Sequence, residues 1–190
     1  MPDHQNKAAL LVLDMQNTIV SIYVKQEEVL LPFQRAVEAA RKHGVPVIYA
    51  GVAVREDVPN SPRNKIFGKM TGNIGMSAVN PAMHVHESVK PQSGEPLVDK
   101  FRVSAFAGSQ LEAILHERGI ETLILSGIAT SGVVLSTWCE AADKDFAVTV
   151  LSDACVDADP EVHRVLTEKV FPRQADVLTV EEWIRELSQE

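Results

Sequence analysis

The sequence predicts a three-layer α/β/α fold, with one mostly parallel sheet of about six strands covered by helices on both faces. Three observations carry this expectation. Short apolar runs without polar alternation recur along the chain, as strands buried on both faces require. Segments with apolar residues at helical spacing lie between them. The two kinds of segment alternate, which is the pattern of βα units joined by crossovers. At 190 residues the chain has the length of a single domain, 1–190, with one full hydrophobic core.

The elements follow in order. Ala8–Leu13 is a continuous apolar run ending at Asp14, the first buried strand. Val29–His43 carries Leu30, Phe33, Val37 and Ala40 on one helical face and stops at Gly44. Val45–Ala50 is the second strand. Residues 55–95 then break the rhythm, rich in proline, glycine and asparagine. A connection of that length inside one domain is expected to be a substrate-facing flap with short helical pieces. Pro96–Lys100 resumes as a short strand, Ser109–Arg118 as a helix stopped by Gly119, and Thr122–Gly127 as a buried strand. Ser131–Asp143 reads as a helix, Phe146–Leu151 as a strand, and Pro160–Val170 as a helix with proline in its first turn. Asp176–Thr179 is the last strand. Val180–Leu187 is a terminal helix whose Glu181 and Glu182 suit the positive end of its dipole.

Composition narrows the partners. The net charge is −8, and the 18 basic residues are scattered, which argues against nucleic acid or an anionic membrane. No apolar run approaches the roughly 20 residues of a membrane span. The polar start, Met1–Lys7, predicts a cytoplasmic protein. Cys139 and Cys155 are the two cysteines, expected to stay reduced there.

In a parallel sheet, ligands bind outside the carboxyl ends of the strands. Those ends carry Asp14, Asp99-Lys100, Gly127-Ile128-Ala129-Thr130 and Ser152-Asp153. A carboxylate, an ammonium and a glycine-flanked strand-to-helix turn thus converge on one rim. Each has a structural explanation when taken alone: Asp14 as a turn or cap residue, Lys100 as a solvated strand end, Gly127 as a tight turn. Their joint placement favours a site.

The motifs add specificity. Leu11-Val12-Leu13-Asp14-Met15-Gln16-Asn17 resembles the opening signature of the isochorismatase-like cysteine hydrolases. Lys100 with Ser104-Ala105-Phe106 is similar to the family's lysine-bearing strand and turn. Gly127-Ile128-Ala129-Thr130-Ser131 resembles its turn before the nucleophile helix, and Leu151-Ser152-Asp153-Ala154 its next strand. The resemblance spans residues 8 to 180. It implies an aspartate, a lysine and a cysteine in one site, the first two matching Asp14 and Lys100. The cysteine position falls on Val133, which has no nucleophilic atom. The resemblance further implies an oxyanion hole from the N–H groups of Ala129 and Val133, a cis peptide at Ile128–Ala129, and a homo-oligomer. Within the family isochorismatase also lacks the cysteine, but this chain departs from it too, because that enzyme carries glycine there.

Other residues compete for the missing role. Cys139 lies six residues past Val133, about 240° and about 9 Å along a helix, which excludes it from the same site. Thr130 and Ser131 lie at the turn, where a hydroxyl needs an adjacent base, and Cys155 follows a strand end. Three readings remain: an Asp14/Lys100 acid–base hydrolase, a hydrolase with a displaced nucleophile, and a protein that binds a small molecule without turning it over. Gln16, Arg55, Asn64, Phe101, Phe106, Thr130 and Ser131 are the candidate substrate contacts, with Arg55 placed to clamp a carboxylate. His84 and His86 share a strand-like spacing without a third ligand, and His163 sits on an apolar-periodic helix. Neither a metal nor an organic cofactor is expected; the expected partner is a small-molecule substrate.

Overall fold

A computed structural model of the chain describes residues 7–53, 61–69 and 80–189. Six strands form one sheet in the order β3-β2-β1-β4-β5-β6: β1 (Ala8–Leu13), β2 (Val47–Val52), β3 (Leu97–Lys100), β4 (Thr122–Ile128), β5 (Ala147–Val156) and β6 (Asp176–Leu178). All five ladders are parallel. Alternate side chains of each strand enter opposite cores. Leu11, Leu13, Ile48, Ala50, Val98 and Leu125 pack with α3 (Leu111–Glu117) and α4 (Leu135–Asp143) through Leu111, Leu115, Trp138 and Ala141. Leu10, Val12, Val47, Tyr49 and Ile124 pack on the other face. There they meet Phe33 and Val37 of α2 (Leu31–Lys42) and Val180, Trp183 and Leu187 of α6 (Val180–Leu187). Burial on both faces is why the strands read as unbroken apolar runs.

Several boundaries differ from the expectation. A short helix, α1 (Asn17–Tyr23), follows β1 where none is expected. Its sequence is β-branched, Thr-Ile-Val-Ser-Ile, and only Val20 is buried, so neither propensity nor periodicity reveals it. Tertiary contacts hold it: Asn17 Nδ2 donates to the Pro81 carbonyl at 2.8 Å and Thr18 Oγ1 to that of Ala82 at 2.9 Å. The expected helix 131–143 begins as a π-helical turn, Thr130–Val134, before α4. The expected helix 160–170 is α5 (Pro160–Val165) followed by a π-helical turn, Leu166–Val170. Strand β5 runs to Val156 rather than ending at Leu151, because it bulges: Val150 pairs with Leu125, and Cys155 already with Gly127. Within the expected flap, residues 61–69 and 80–95 contain 3-10 turns at Phe67–Lys69, Pro81–Met83 and Glu87–Val89. Among the described residues, no helix is long and apolar enough to cross a membrane.

Candidate active site

Four strand ends meet at one rim. Leu13 pairs with both Ala50 and Gly127, and Val52 with Lys100, so the residues leaving β1, β2, β3 and β4 are neighbours. Gly127 is required by packing: a Cβ there would lie 2.5 Å from the Leu13 carbonyl oxygen and 2.6 Å from its Cβ. This close approach brings β4, with its following turn, against the end of β1.

Asp14 leaves β1 at φ +53, a left-handed conformation sparsely populated outside glycine and asparagine-like residues. Its N–H still bonds the Ala50 carbonyl at 2.8 Å, so the ladder fixes the backbone while the turn aims the side chain. Its Oδ2 lies 3.1 Å from Lys100 Nζ, and both side chains are buried. Lys100 points the same way as Val98, opposite to exposed Leu97 and Asp99. The ammonium has three donors. Two go to the carbonyls of Arg102 and Val103, at 2.9 and 3.1 Å, and the third faces Asp14. Lys100 is thus fully occupied, which removes it as a direct substrate contact and makes it the fixed counter-charge of Asp14.

The carboxylate is left half-satisfied. Asp14 Oδ1 is buried without a hydrogen-bond partner among the described residues. Burial pushes the Asp14 carboxyl up to about 6, with the Lys100 charge opposing the shift. Lys100 is pulled below the usual ammonium range by its own burial, against the attraction of Asp14. A carboxyl that titrates near neutrality, with one oxygen idle, is suited to exchanging a proton with a ligand.

The turn after β4 contains a cis peptide at Ile128–Ala129, as the motif resemblance implied. Val133 is 2% exposed and packs into the core cluster shared with Ala105 and Val134. Thr130 is fully buried, and its Oγ1 lies 2.8 Å from His163 Nδ1. Ser131 is exposed, with its N–H donating to Asp157 Oδ2 at 2.7 Å. Burial raises the Asp157 carboxyl, but hydrogen bonds from the Ser131 side chain and backbone outweigh it and hold the group below the ordinary range. A carboxylate so stabilised is a weak base for activating Ser131.

Several expected contacts prove to be structural. Gln16 bonds backbone groups rather than Asp14: its Nε2 donates to the carbonyls of Val52 (3.0 Å) and Met83 (2.8 Å), and its Oε1 accepts the Val52 N–H (2.9 Å). It therefore ties β2 and the segment around Met83 to the end of β1. Asn64 folds its own turn, with Oδ1 accepting the N–H groups of Ile66 and Phe67 at 3.1 and 2.9 Å. Phe106 is core, with its ring 5.9 Å from that of Phe146. Phe101 is half-buried and its carbonyl accepts from Arg102. Asp153 lies in the β5 bulge, is exposed, and accepts the Val180 N–H at 2.8 Å. Arg55 lies outside the described residues.

The thiols fare no better as nucleophiles. Cys155 is buried with Sγ toward the Leu125 carbonyl, and burial pushes it up to about 12, far from the reactive thiolate. Cys139 is exposed on α4, and both cysteines are free. His86 caps the Glu87–Val89 turn through Nδ1. Asp157 is the residue that sequence reasoning missed. Its only local signal is proximity to the helix-capping Asp159-Pro160 pair, and its contact with Ser131 depends on β4 and β5 being neighbours.

The Isochorismatase domain family matches residues 8–182. The chain belongs to the isochorismatase family. Among its relatives, the ureidoacrylate amidohydrolase RutB of Pseudomonas savastanoi is 28% identical, over 92% of this chain and 77% of that protein. An Arabidopsis thaliana protein named "Probable inactive nicotinamidase" is 29% identical, over 99% of this chain and 100% of the other. The crystal structure of a cysteine hydrolase from Pseudomonas syringae superposes with a TM-score of 0.86 at 26% identity, covering 100% of this chain and 96% of that one. The fold expected for the family is the fold observed, and the Asp14–Lys100 pair occupies its sheet rim.

Proposed function

We propose that this isochorismatase-family protein is a hydrolase of a small metabolite that works by acid–base chemistry at Asp14, without a covalent enzyme intermediate. The observation that carries the reading is the buried Asp14–Lys100 pair at 3.1 Å, whose Asp14 Oδ1 has no partner among the described residues. Motif resemblance puts Val133 at the nucleophile position, so the chemistry falls to the carboxyl. In its protonated form Asp14 delivers a proton to an electron-rich atom of the substrate, such as the carbon of an enol ether; water adds to the resulting cation and returns a proton to the Asp14 carboxylate, and the hemiketal so formed breaks its C–O bond to leave an alcohol and a carbonyl product. Lys100 holds the charge balance: it opposes the upward shift of Asp14 and receives the carboxylate once the proton has left. For an amide-bearing substrate, attacked by water, the N–H groups of Ala129 and Val133 are the proposed donors to the carbonyl oxygen on which negative charge develops. A small carboxylated or amide-bearing compound is the proposed substrate class, and a homo-oligomer the proposed assembly.

The test begins with a thermal-shift screen of a metabolite library, followed by turnover assays of the hits. Proton donation from Asp14 predicts a rate that falls about tenfold per pH unit above about 6. A rate that instead rises through this range and levels off assigns Asp14 as a base and supports a displaced nucleophile. Insensitivity to iodoacetamide is expected, because neither cysteine takes part.

The second reading, a binding protein without turnover, is favoured by Val133 itself, which is buried in the core cluster where a thiol is expected. Its mark is a library hit that binds equally to the native protein and to Asp14→Asn, with no product formed by either.

A further inference from the structure

Two side chains beyond the Asp14–Lys100 pair hold the turn that leaves β4. Asp157, just past the end of β5, accepts the Ser131 N–H at 2.7 Å through Oδ2 and the Asp159 N–H at 3.3 Å through Oδ1. Asp159 in turn caps α5, accepting the N–H groups of Glu161 (2.9 Å) and Val162 (3.4 Å). The His163 N–H bonds back to the Asp159 carbonyl at 3.0 Å, which fixes the place of the ring one turn into the helix. His163 Nδ1 then meets Thr130 Oγ1 at 2.8 Å. Thr130 opens the π-helical turn that contains Val133, and that turn has no side-chain cap from its own N-cap residue, Ala129. Its position is set from the β5–α5 segment.

We propose that His163 is a positioning residue for the candidate site: through the Thr130 hydroxyl it fixes the Thr130–Val134 backbone, including the Val133 N–H, and it loosens that turn when the ring takes up a proton. The importance of the turn rests on the oxyanion assignment made above, but the coupling between ring and turn stands independently of any turnover.

The reason is hydrogen-bond direction. In the tautomer with its proton on Nε2, the imidazole accepts at Nδ1 and the Thr130 hydroxyl donates. A doubly protonated ring has only donors, so Nδ1–H must donate and the hydroxyl must turn its own proton elsewhere. Thr130 is completely buried, so bulk water is not at hand to take the redirected hydroxyl proton, and in the proposed coupling the turn shifts to supply an acceptor. Burial pulls His163 below the ordinary histidine range, against the opposing charge of Asp157. The neutral ring is therefore the resting form at neutral pH, and on this proposal it is the Nε2–H tautomer, with the Thr130 hydroxyl donating. Asp157 is the charge that acts on the ring. On its own helix, Glu161 and Arg164 pair with each other at 2.8 Å, and Arg164 also with Glu168 at 2.7 Å. Lys169 is exposed on the following π-helical turn, and Thr130–Val134 carries no charged side chain.

The experiment is a pH titration of the full ¹⁵N-labelled chain by NMR, following the His163 ring and the amides of Ser131 to Val134. The expected result is one shared midpoint for ring and amides, below the ordinary histidine value of about 6.5. In His163→Gln the amide step disappears while the remaining spectrum keeps its dispersion. In Thr130→Val the ring still titrates, and the amides no longer follow it. Asp14→Asn keeps the step, which separates it from titration of Asp14 near 6. The proposal is overturned if the native amides do not move with the ring, if the step survives in His163→Gln, or if it vanishes in Asp14→Asn. Should His163→Gln fail to fold, the Thr130→Val titration decides alone, and amides that still follow the ring overturn the proposal. Absence of hydrolysis would refute the proposed function and leave this coupling untouched.

Discussion

Asp14 and Asp153 both follow apolar strand runs that the sequence places at the same rim, yet the two carboxylates have opposite surroundings. Asp153 is exposed, sits in the bulge of β5, and has its Oδ1 bonded to the Val180 N–H at the start of α6. Asp14 is buried, held at φ +53, and paired on one oxygen with Lys100 while the other has no partner among the described residues. The first arrangement is complete as it stands and needs nothing further. The second is incomplete: a buried polar atom without a partner costs roughly 1–3 kcal/mol, a cost that a ligand supplying a donor would offset. A strand-end aspartate therefore marks a candidate acid only when burial and an idle oxygen accompany it.

The sharpest way to break this contrast is activity. Once a substrate is found, Asp14→Asn is expected to lower its turnover roughly 10²- to 10⁴-fold, whereas Asp153→Asn should leave initial rates within a few-fold of native. Equal losses in the two variants would erase the distinction. Next in size is the counter-charge. Lys100→Met leaves a buried carboxylate alone and is expected to destabilise the protein by about 3–5 kcal/mol in urea unfolding at pH 8. The loss should shrink at pH 5, where Asp14 binds its proton and no longer needs a cation. A loss independent of pH would mean that Lys100 acts by packing.

A third measurement uses the raised titration of Asp14. A carboxyl with a folded pKa above its unfolded value holds its proton more tightly in the folded protein, so the stability it contributes is present when protonated and lost as pH rises through about 6. Native stability relative to Asp14→Asn should accordingly fall by up to about 3 kcal/mol between pH 4 and pH 7. A constant difference would place Asp14 in an unperturbed environment. The smallest expected effect belongs to the other carboxylate. Asp153→Ala removes one acceptor at the start of α6, a cost of about 1 kcal/mol, because the reciprocal Thr179–Glu182 capping box remains.

Much of this molecule is legible in the chain itself. The six strands, the alternation and the two-sided burial follow from apolar runs such as Ala8–Leu13 and Thr122–Ile128, because a strand covered on both faces has no reason to alternate. The helix ends are legible where chemistry is local: Asp159-Pro160 starts α5, and Thr179 with Glu182 starts α6. Asp14 and Lys100 are legible as strand-end residues carried by recognisable motifs. Less legible is α1, whose β-branched sequence gives no helical signal and whose support comes from residues 81–84.

What only the tertiary structure decided is how each polar group is used. Gln16 and Asn64 carry side chains suited to a ligand, but their hydrogen-bonding atoms are directed to backbone groups, of the distant Val52 and Met83 for Gln16 and of its own turn for Asn64. Lys100 is a counter-charge because two carbonyls occupy its remaining donors, and Thr130 is locked because α5 brings His163 to its hydroxyl. The physical reason is that hydrophobic periodicity is a property of neighbours along the chain, whereas hydrogen-bond satisfaction and burial depend on partners far away in it. The sequence by itself determines the sheet, the rim and the valine at position 133. Only the assembled fold shows that, of the two rim aspartates, Asp14 is the one kept buried with an oxygen to spare.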